Sequence, residues 1–181
     1  MKLMTERVQL EILGSEDADL MLDYFLDNRS HLSQWEPIRE SDFYTLKHWQ
    51  WQNSENLEQV SKGTGYRFAI LDHDRSEVMG VCNFTGLSRG AFQACFLGYS
   101  MAERFQNMGY MTEALEAGIE FMFAELKLHR IMANYIPDNV RSAAVLKKLG
   151  FEEEGRARSY LKINGHWQDH ILTSKINPEQ P

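Results

Sequence analysis

The sequence predicts one mixed α/β domain of the α+β kind, a mostly antiparallel seven-stranded sheet flanked by about four helices. Seven segments of strand length stand against four of helical period. Asn164-Gly165 sits between two of the strands as a hairpin turn. One further pair of strands is separated by a long amphipathic helix, the spacing of a β-α-β crossover.

Taken in order, "RVQLEIL" alternates Val8, Leu10 and Ile12, the pattern of a half-buried strand. "GSEDADLMLDYFLDNRSHL" follows as a helix, with Ser15 expected at its N-cap and acids in its first turn. "DFYTLKHWQWQNSENLEQVSKG" is a second helix ending near Gly63. "YRFAILD", "EVMGVCNF" and "FQACFLGYSM" are three strands joined by the turn-like links "HDRS" and "SRG", an antiparallel meander. The helix after them places Met111, Ala114, Leu115, Ile119, Met122 and Leu126 on one apolar face. "HRIMANYI" is a strand stopped by Pro137, and "DNVRSAAVLKKLG" a helix capped near Asp138 or Asn139 and closed by Gly150. "FEEEGRARSYLKI" and "HWQDHILTSKI" are the final strands.

At 181 residues the chain is expected to form one domain over residues 1–176, with 177–181 as a short tail. A chain that is 43% hydrophobic and 12% aromatic has enough apolar residues for a real core. The amino end has too short an apolar run for a signal peptide, and no run reaches the roughly 18 apolar residues of a membrane span. Cys82 and Cys95 lie inside strands and read as reduced core thiols of a cytoplasmic protein. A net charge of −7 argues against direct nucleic-acid binding, which needs a basic footprint, and is compatible with a basic acceptor.

The chemistry concentrates at "ERFQNMGYMTEALEAGIEF", where a strand breaks, a glycine follows and a helix begins at once. No Gly-x-Gly-x-x-Gly, Gly-Lys-[Ser/Thr], His-Glu-x-x-His or Gly-x-Ser-x-Gly occurs, and no metal-ligand spacing is present, so no metal is expected. What remains is a loop whose free N–H groups and helix dipole suit an anion such as a pyrophosphate, and whose Gly109 lets the backbone come close. By itself the same loop also reads as a plain strand–helix turn.

Its neighbours add to the pattern. Gln106 to Met111 fits Gln-x-x-Gly-x-[small or Met], and Asn139 to Ser142 and Gly150-Phe151 follow after a helix and a strand. In this order the motifs resemble the GNAT acetyltransferase superfamily, and the element order matches that fold from end to end. "HLSQWEP", "RGAFQACFLGYS", "HRIMANYIPDN", "RSAAVLKKLGFEEEG" and "YLKINGHWQDH" are similar to the Rim-type ribosomal-protein-alanine N-acetyltransferases of that superfamily.

The resemblance implies acetyl-CoA as cosubstrate and a protein N-terminus as acceptor, the alanine of ribosomal small-subunit protein five. By the same resemblance Gln106, Asn107, Met108, Gly109, Tyr110 and Met111 hold the pyrophosphate, Tyr99, Ser100 and Met101 pair with pantetheine, and Asn139 contacts the pantetheine arm. Asn139 also reads as a helix cap. Trp35 and Glu36 would border the acceptor groove, or be a buried aromatic and a capping acid.

Acetyl transfer to an amine needs a neutral nucleophile, an oxyanion stabiliser and a proton for the thiolate. An α-amine, with a pKa near 7.7–8.0 against about 10.4 for lysine, is already about 10–20% neutral at pH 7 and needs little base. Glu103, next to the loop, and Glu36 are the base candidates; both also read as solvated carboxylates. The tyrosine that many family members carry seven residues after the motif asparagine is Leu146 here. Ser142 is the acid candidate instead, against a reading as a small packing residue, with Tyr135 and Tyr160 in reserve. Two other functions fit the same pattern: acetylation of a small amine such as a polyamine, antibiotic or amino sugar, and coenzyme A binding in a non-catalytic ribosome-assembly protein.

Overall fold

In the computed structural model, which describes residues 1–180, β1 (Lys2–Met4) and β2 (Gln9–Glu11) open the chain. Helices α1 (Ala18–Asp27), α2 (Arg29–Leu32) and α3 (Leu46–Lys62) follow, then the meander β3 (Tyr66–Leu71), β4 (Val78–Ser88) and β5 (Ala94–Met101). Helix α4 (Tyr110–Ala124) leads to β6 (Arg130–Tyr135), α5 (Val140–Lys148), β7 (Glu152–Ile163) and β8 (His166–Ile176). The strands form one sheet in the order β1-β2-β3-β4-β5-β6-β8-β7, antiparallel at every step except β5–β6.

The expected mixed, mostly antiparallel sheet and single crossover are present, with eight strands instead of seven. The added strand, β1, is three residues long and pairs Leu3 with Leu10; so short a segment carries no readable period. The first helix is broken as well. Ser15 opens a 3-10 turn instead of capping α1, whose N-cap position, Asp17, makes no side-chain cap bond. At Asn28 the side-chain amide donates to Tyr24 O (2.9 Å) while its Oδ1 accepts from the Glu103 N–H (3.1 Å). An amide that bonds nearby backbone competes with the helix, which ends there and restarts as the single turn α2.

The sheet buries apolar side chains on both faces. On one, Phe68, Ile70, Cys82, Phe84, Cys95 and Leu97 meet Met111, Ala114, Leu115, Ile119 and Met122 of α4. On the other, Ala69, Leu71 and Val81 meet Met21, Phe25 and Trp49 from α1 and α3. The period-2 alternation of strands and the apolar stripe of α4 account for both layers. The expected Leu126 lies past the end of α4 and is partly buried against the first cluster. Trp49 is buried and Trp51 exposed, as positions two apart on a helix require.

Asn164 and Gly165, with φ of 46° and 80°, form the tight turn between β7 and β8. The Asn164 N–H donates to Glu36 O (2.9 Å), so the hairpin tip is tied to the segment after α2. Beyond β8, buried Asn177 donates from its backbone N–H to His129 O (2.8 Å) and from its side chain to Leu128 O (3.0 Å), anchoring this part of the expected tail to the start of β6. No helix among the described residues is long and apolar enough to cross a membrane.

Candidate active site

β5 and β6 run parallel only through the pairs Ala94–Arg130, Cys95–Ile131 and Phe96–Met132, after which they part. β5 continues to Met101 paired with β4 alone, and β6 continues to Tyr135 paired with β8 alone. The edge of β5 over residues 97–101 therefore offers backbone N–H and C=O groups to a ligand strand. The sequence dictates the split: past Met101 the chain turns through a 3-10 turn (Glu103–Phe105) into α4, and α5 starts just past β6.

A cavity of about 400 Å³ opens at this divergence. Of the residues expected to hold the cosubstrate, it is lined by Tyr99, Ser100, Met101, Gln106, Asn107, Gly109, Tyr110, Met111 and Asn139; Ser142 and Trp35 line it too. Met108 is exposed and does not line it.

Glu103 also lies outside the lining, with its side chain in solvent, the placement of a solvated carboxylate, its other reading. Proximity in sequence to the loop did not carry it inward, because its turn is fixed by the bond from its own N–H to Asn28. Glu36 is half-buried in a smaller neighbouring cavity, where Arg39 accompanies it at 3.2 Å. Burial raises the Glu36 pKa, against the lowering effect of Arg39.

Gly109 occupies the N-cap of α4 with φ 85° and ψ −6°, and no side chain caps this helix end. Its first-turn N–H groups are left free for an anion. Positive φ at Asn107 (62°) helps turn the chain. The N-terminal segment braces the loop from behind. Arg7 donates to Met108 O (2.9 Å) and to Glu113 Oε2 (2.6 Å), and stacks on the Tyr110 ring at 4.7 Å. Nothing local in the sequence signals this brace, because its partners lie over one hundred positions apart.

Asn139 caps α5 by accepting from the Ser142 N–H (3.1 Å), as expected, while also facing the cavity. Ser142 Oγ lies 2.8 Å from the Tyr99 hydroxyl. Burial raises the Tyr99 pKa above the usual phenol value, outweighing the Ser142 hydrogen bond, so the group keeps its proton. Tyr99, which sequence reasoning placed only in the ligand-pairing strand, is thereby a protonated hydroxyl paired with Ser142 at the cavity. Tyr135 and Tyr160, the reserve donors, do not line the cavity. Leu146 is buried in the core.

Two further pairs were not legible in the sequence. The Tyr24 hydroxyl lies 2.9 Å from Ser100 Oγ, and Gln106 Nε2 lies 2.8 Å from His31 Nε2, with His31 in the cavity wall. Cys82 and Cys95 are buried and free, and burial raises both thiol pKa values, so neither is an activated nucleophile.

The arrangement suits a long ligand with a strand-like arm along β5 and an anionic group at the start of α4. Residues 7–152 match the family model for the acetyltransferase (GNAT) domain. The [ribosomal protein uS5]-alanine N-acetyltransferase of Escherichia coli (strain K12) is 41% identical over 178 residues, covering 98% of this chain and 92% of that protein. The solved ribosomal-protein-S5-alanine acetyltransferase from Vibrio fischeri has a TM-score of 0.95 at 39% identity, covering 100% of this chain and 99% of the other. RimJ of Mycobacterium smegmatis, solved in complex with CoA-disulfide, has a TM-score of 0.88 at 30% identity, covering 96% and 84%.

Proposed function

The chain belongs to the GNAT acetyltransferase family, and from that premise we propose that it transfers acetyl from acetyl-CoA to the N-terminal alanine of ribosomal protein uS5. The observation that carries the acceptor is 41% identity to the Escherichia coli enzyme of that activity over nearly the full length of both chains. An acceptor of this kind places the enzyme with the ribosomes of the cytoplasm. Residues 1–176 act as one catalytic domain in this reading.

Acetyl-CoA supplies an acyl group on a good leaving thiolate. The residues of this chain hold and orient it: the 97–101 edge of β5 pairs with the pantetheine arm, and the first turn of α4 with Gln106, Asn107 and Gly109 receives the pyrophosphate. The α-amine forms a bond to the acyl carbon, the carbon–sulfur bond breaks, and the thiolate takes a proton from the Tyr99–Ser142 pair. His31, in the cavity wall, holds the Gln106 amide, whose Nε2 lies 2.8 Å from its Nε2, and so orients the loop that receives the pyrophosphate. Trp35 and Glu36, beside the β7–β8 turn, receive the peptide.

Incubating the enzyme with acetyl-CoA and small-subunit ribosomal proteins tests the assignment. Intact-protein and peptide mass spectrometry should find one acetyl group, on the N-terminal alanine of uS5. Acetylation confined to lysines, or to a polyamine offered alongside, would overturn it.

A further inference from the structure

A second cavity, about 110 Å³, lies on the sheet face that α1 and α3 cover. Arg67, Asn83, Arg39 and Trp49 line it. The Nε–H of Arg67 and the indole Nε1–H of Trp49 are both buried and lack a hydrogen-bond partner. Burial lowers the Arg67 pKa, and the neighbouring charge of Arg39 lowers it further; no carboxylate is among the causes of its shift. Arg39 itself has Glu36. Two unsatisfied donors, one cationic, lining one cavity are unfavourable where they stand, and an anion there would supply the acceptors they lack.

The sheet register places this cavity relative to the active site. Arg67 pairs with Asn83, and Asn83 with Gly98, so the three form one row across β3, β4 and β5. Gly98 is exposed, has open space where a side chain would stand, and immediately precedes Tyr99. Two strand spacings separate Arg67 from Gly98, about 10 Å. An extended peptide covers that distance in about three residues.

Resting on the acceptor reading above, we propose that Arg67 and the Trp49 indole N–H form an anion subsite that takes a carboxylate side chain at the third or fourth residue of the acceptor peptide. The subsite selects among alanine N-termini, a choice that the amine chemistry alone does not make.

Two peptides with a free N-terminal alanine test this, one with glutamate at positions three and four and a twin with glutamine there. The wild-type enzyme should show a KM about tenfold or more higher for the glutamine twin, the range of a charged hydrogen bond. In Arg67→Gln the two peptides should agree within about twofold, and Arg67→Lys should keep part of the preference. Equal KM values in the wild type, or a preference that survives Arg67→Gln, overturn the subsite while leaving N-terminal transfer intact. Transfer to neither peptide removes the acceptor reading and the subsite with it. Inorganic phosphate, added at saturating acetyl-CoA so that the anion site of α4 is filled, separates a free anion from a peptide carboxylate: inhibition competitive with the glutamate peptide and weaker against its twin supports the carboxylate, and equal inhibition of both overturns it.

Discussion

The hydroxyl of Tyr99 lies 2.8 Å from Oγ of Ser142, joining β5 to the first turn of α5 beside the cavity. Leu146, one turn further along α5, is buried in the core and has no proton to give. If the Tyr99–Ser142 pair protonates the departing thiolate, Ser142→Ala should lower kcat roughly 10- to 100-fold, the lower end for general acid catalysis because the leaving group is good. The acetyl-CoA dissociation constant should stay within about twofold, since the loss falls in the transition state. Tyr99→Phe should act alike, and the double variant should be little worse than either single one, as expected for groups acting as a unit. Steady-state kinetics with calorimetry on the folded variants checks this; a full-rate Ser142→Ala enzyme removes the acid role.

Gly109 gives a separate test of the anion site. A Cβ there would stand 3.2 Å from the Arg7 guanidinium, on a backbone of φ 85°. Gly109→Val should weaken acetyl-CoA binding by roughly tenfold or more, because left-handed backbone is costly for a β-branched residue. Gly109→Asn, which tolerates that conformation, should lose less. Equal affinity for all three in calorimetry contradicts the role of the loop.

The brace behind that loop should depend on pH. The Glu113 carboxylate accepts from Thr5 Oγ1 (2.6 Å), the Arg7 N–H (2.7 Å) and Arg7 Nε (2.6 Å). Burial pushes its pKa up, but the Thr5 and Arg7 hydrogen bonds and the Arg7 charge outweigh that and hold it below the ordinary value. Its folded pKa is therefore the lower one, so its stabilisation is complete above the unfolded value of about 4.3 and is lost as pH falls through the folded value. Glu113→Gln should lower Tm by about 2–4 °C at pH 7, corresponding to one net hydrogen bond, and the difference should shrink below about pH 4. Thermal melts at several pH values measure it; a gap that widens with acid contradicts the sign.

Local pattern made most of the architecture readable. The alternation of Val8 and Leu10, the apolar stripe of α4, the Asn164-Gly165 turn and the Asn139 cap each announce themselves within a few residues. The site was readable only where it is backbone and loop. Tyr99–Ser142, Tyr24–Ser100, His31–Gln106 and Arg7–Glu113 join residues from 43 to 106 positions apart, and no periodicity encodes such pairs. Glu103 shows the converse: adjacent to the loop in sequence, it points to solvent because its turn is held by Asn28. The eighth strand and the break at Asn28 escaped for want of length, three residues in one case and one amide in the other.

The acceptor assignment rests most directly on which amine reacts. A peptide with a free N-terminal alanine and no lysine should be compared with a twin blocked at its N-terminus and carrying one lysine, by thiol release with acetyl-CoA and mass spectrometry of the product. An α-amine is about 10–20% neutral at pH 7 and a lysine well below 0.1%, so the first peptide should react and the second should not. Its rate should rise with pH as the α-amine deprotonates near 7.7–8.0. Equal rates on both peptides, or reaction of the lysine twin alone, would contradict N-terminal acetyl transfer as the activity of this enzyme.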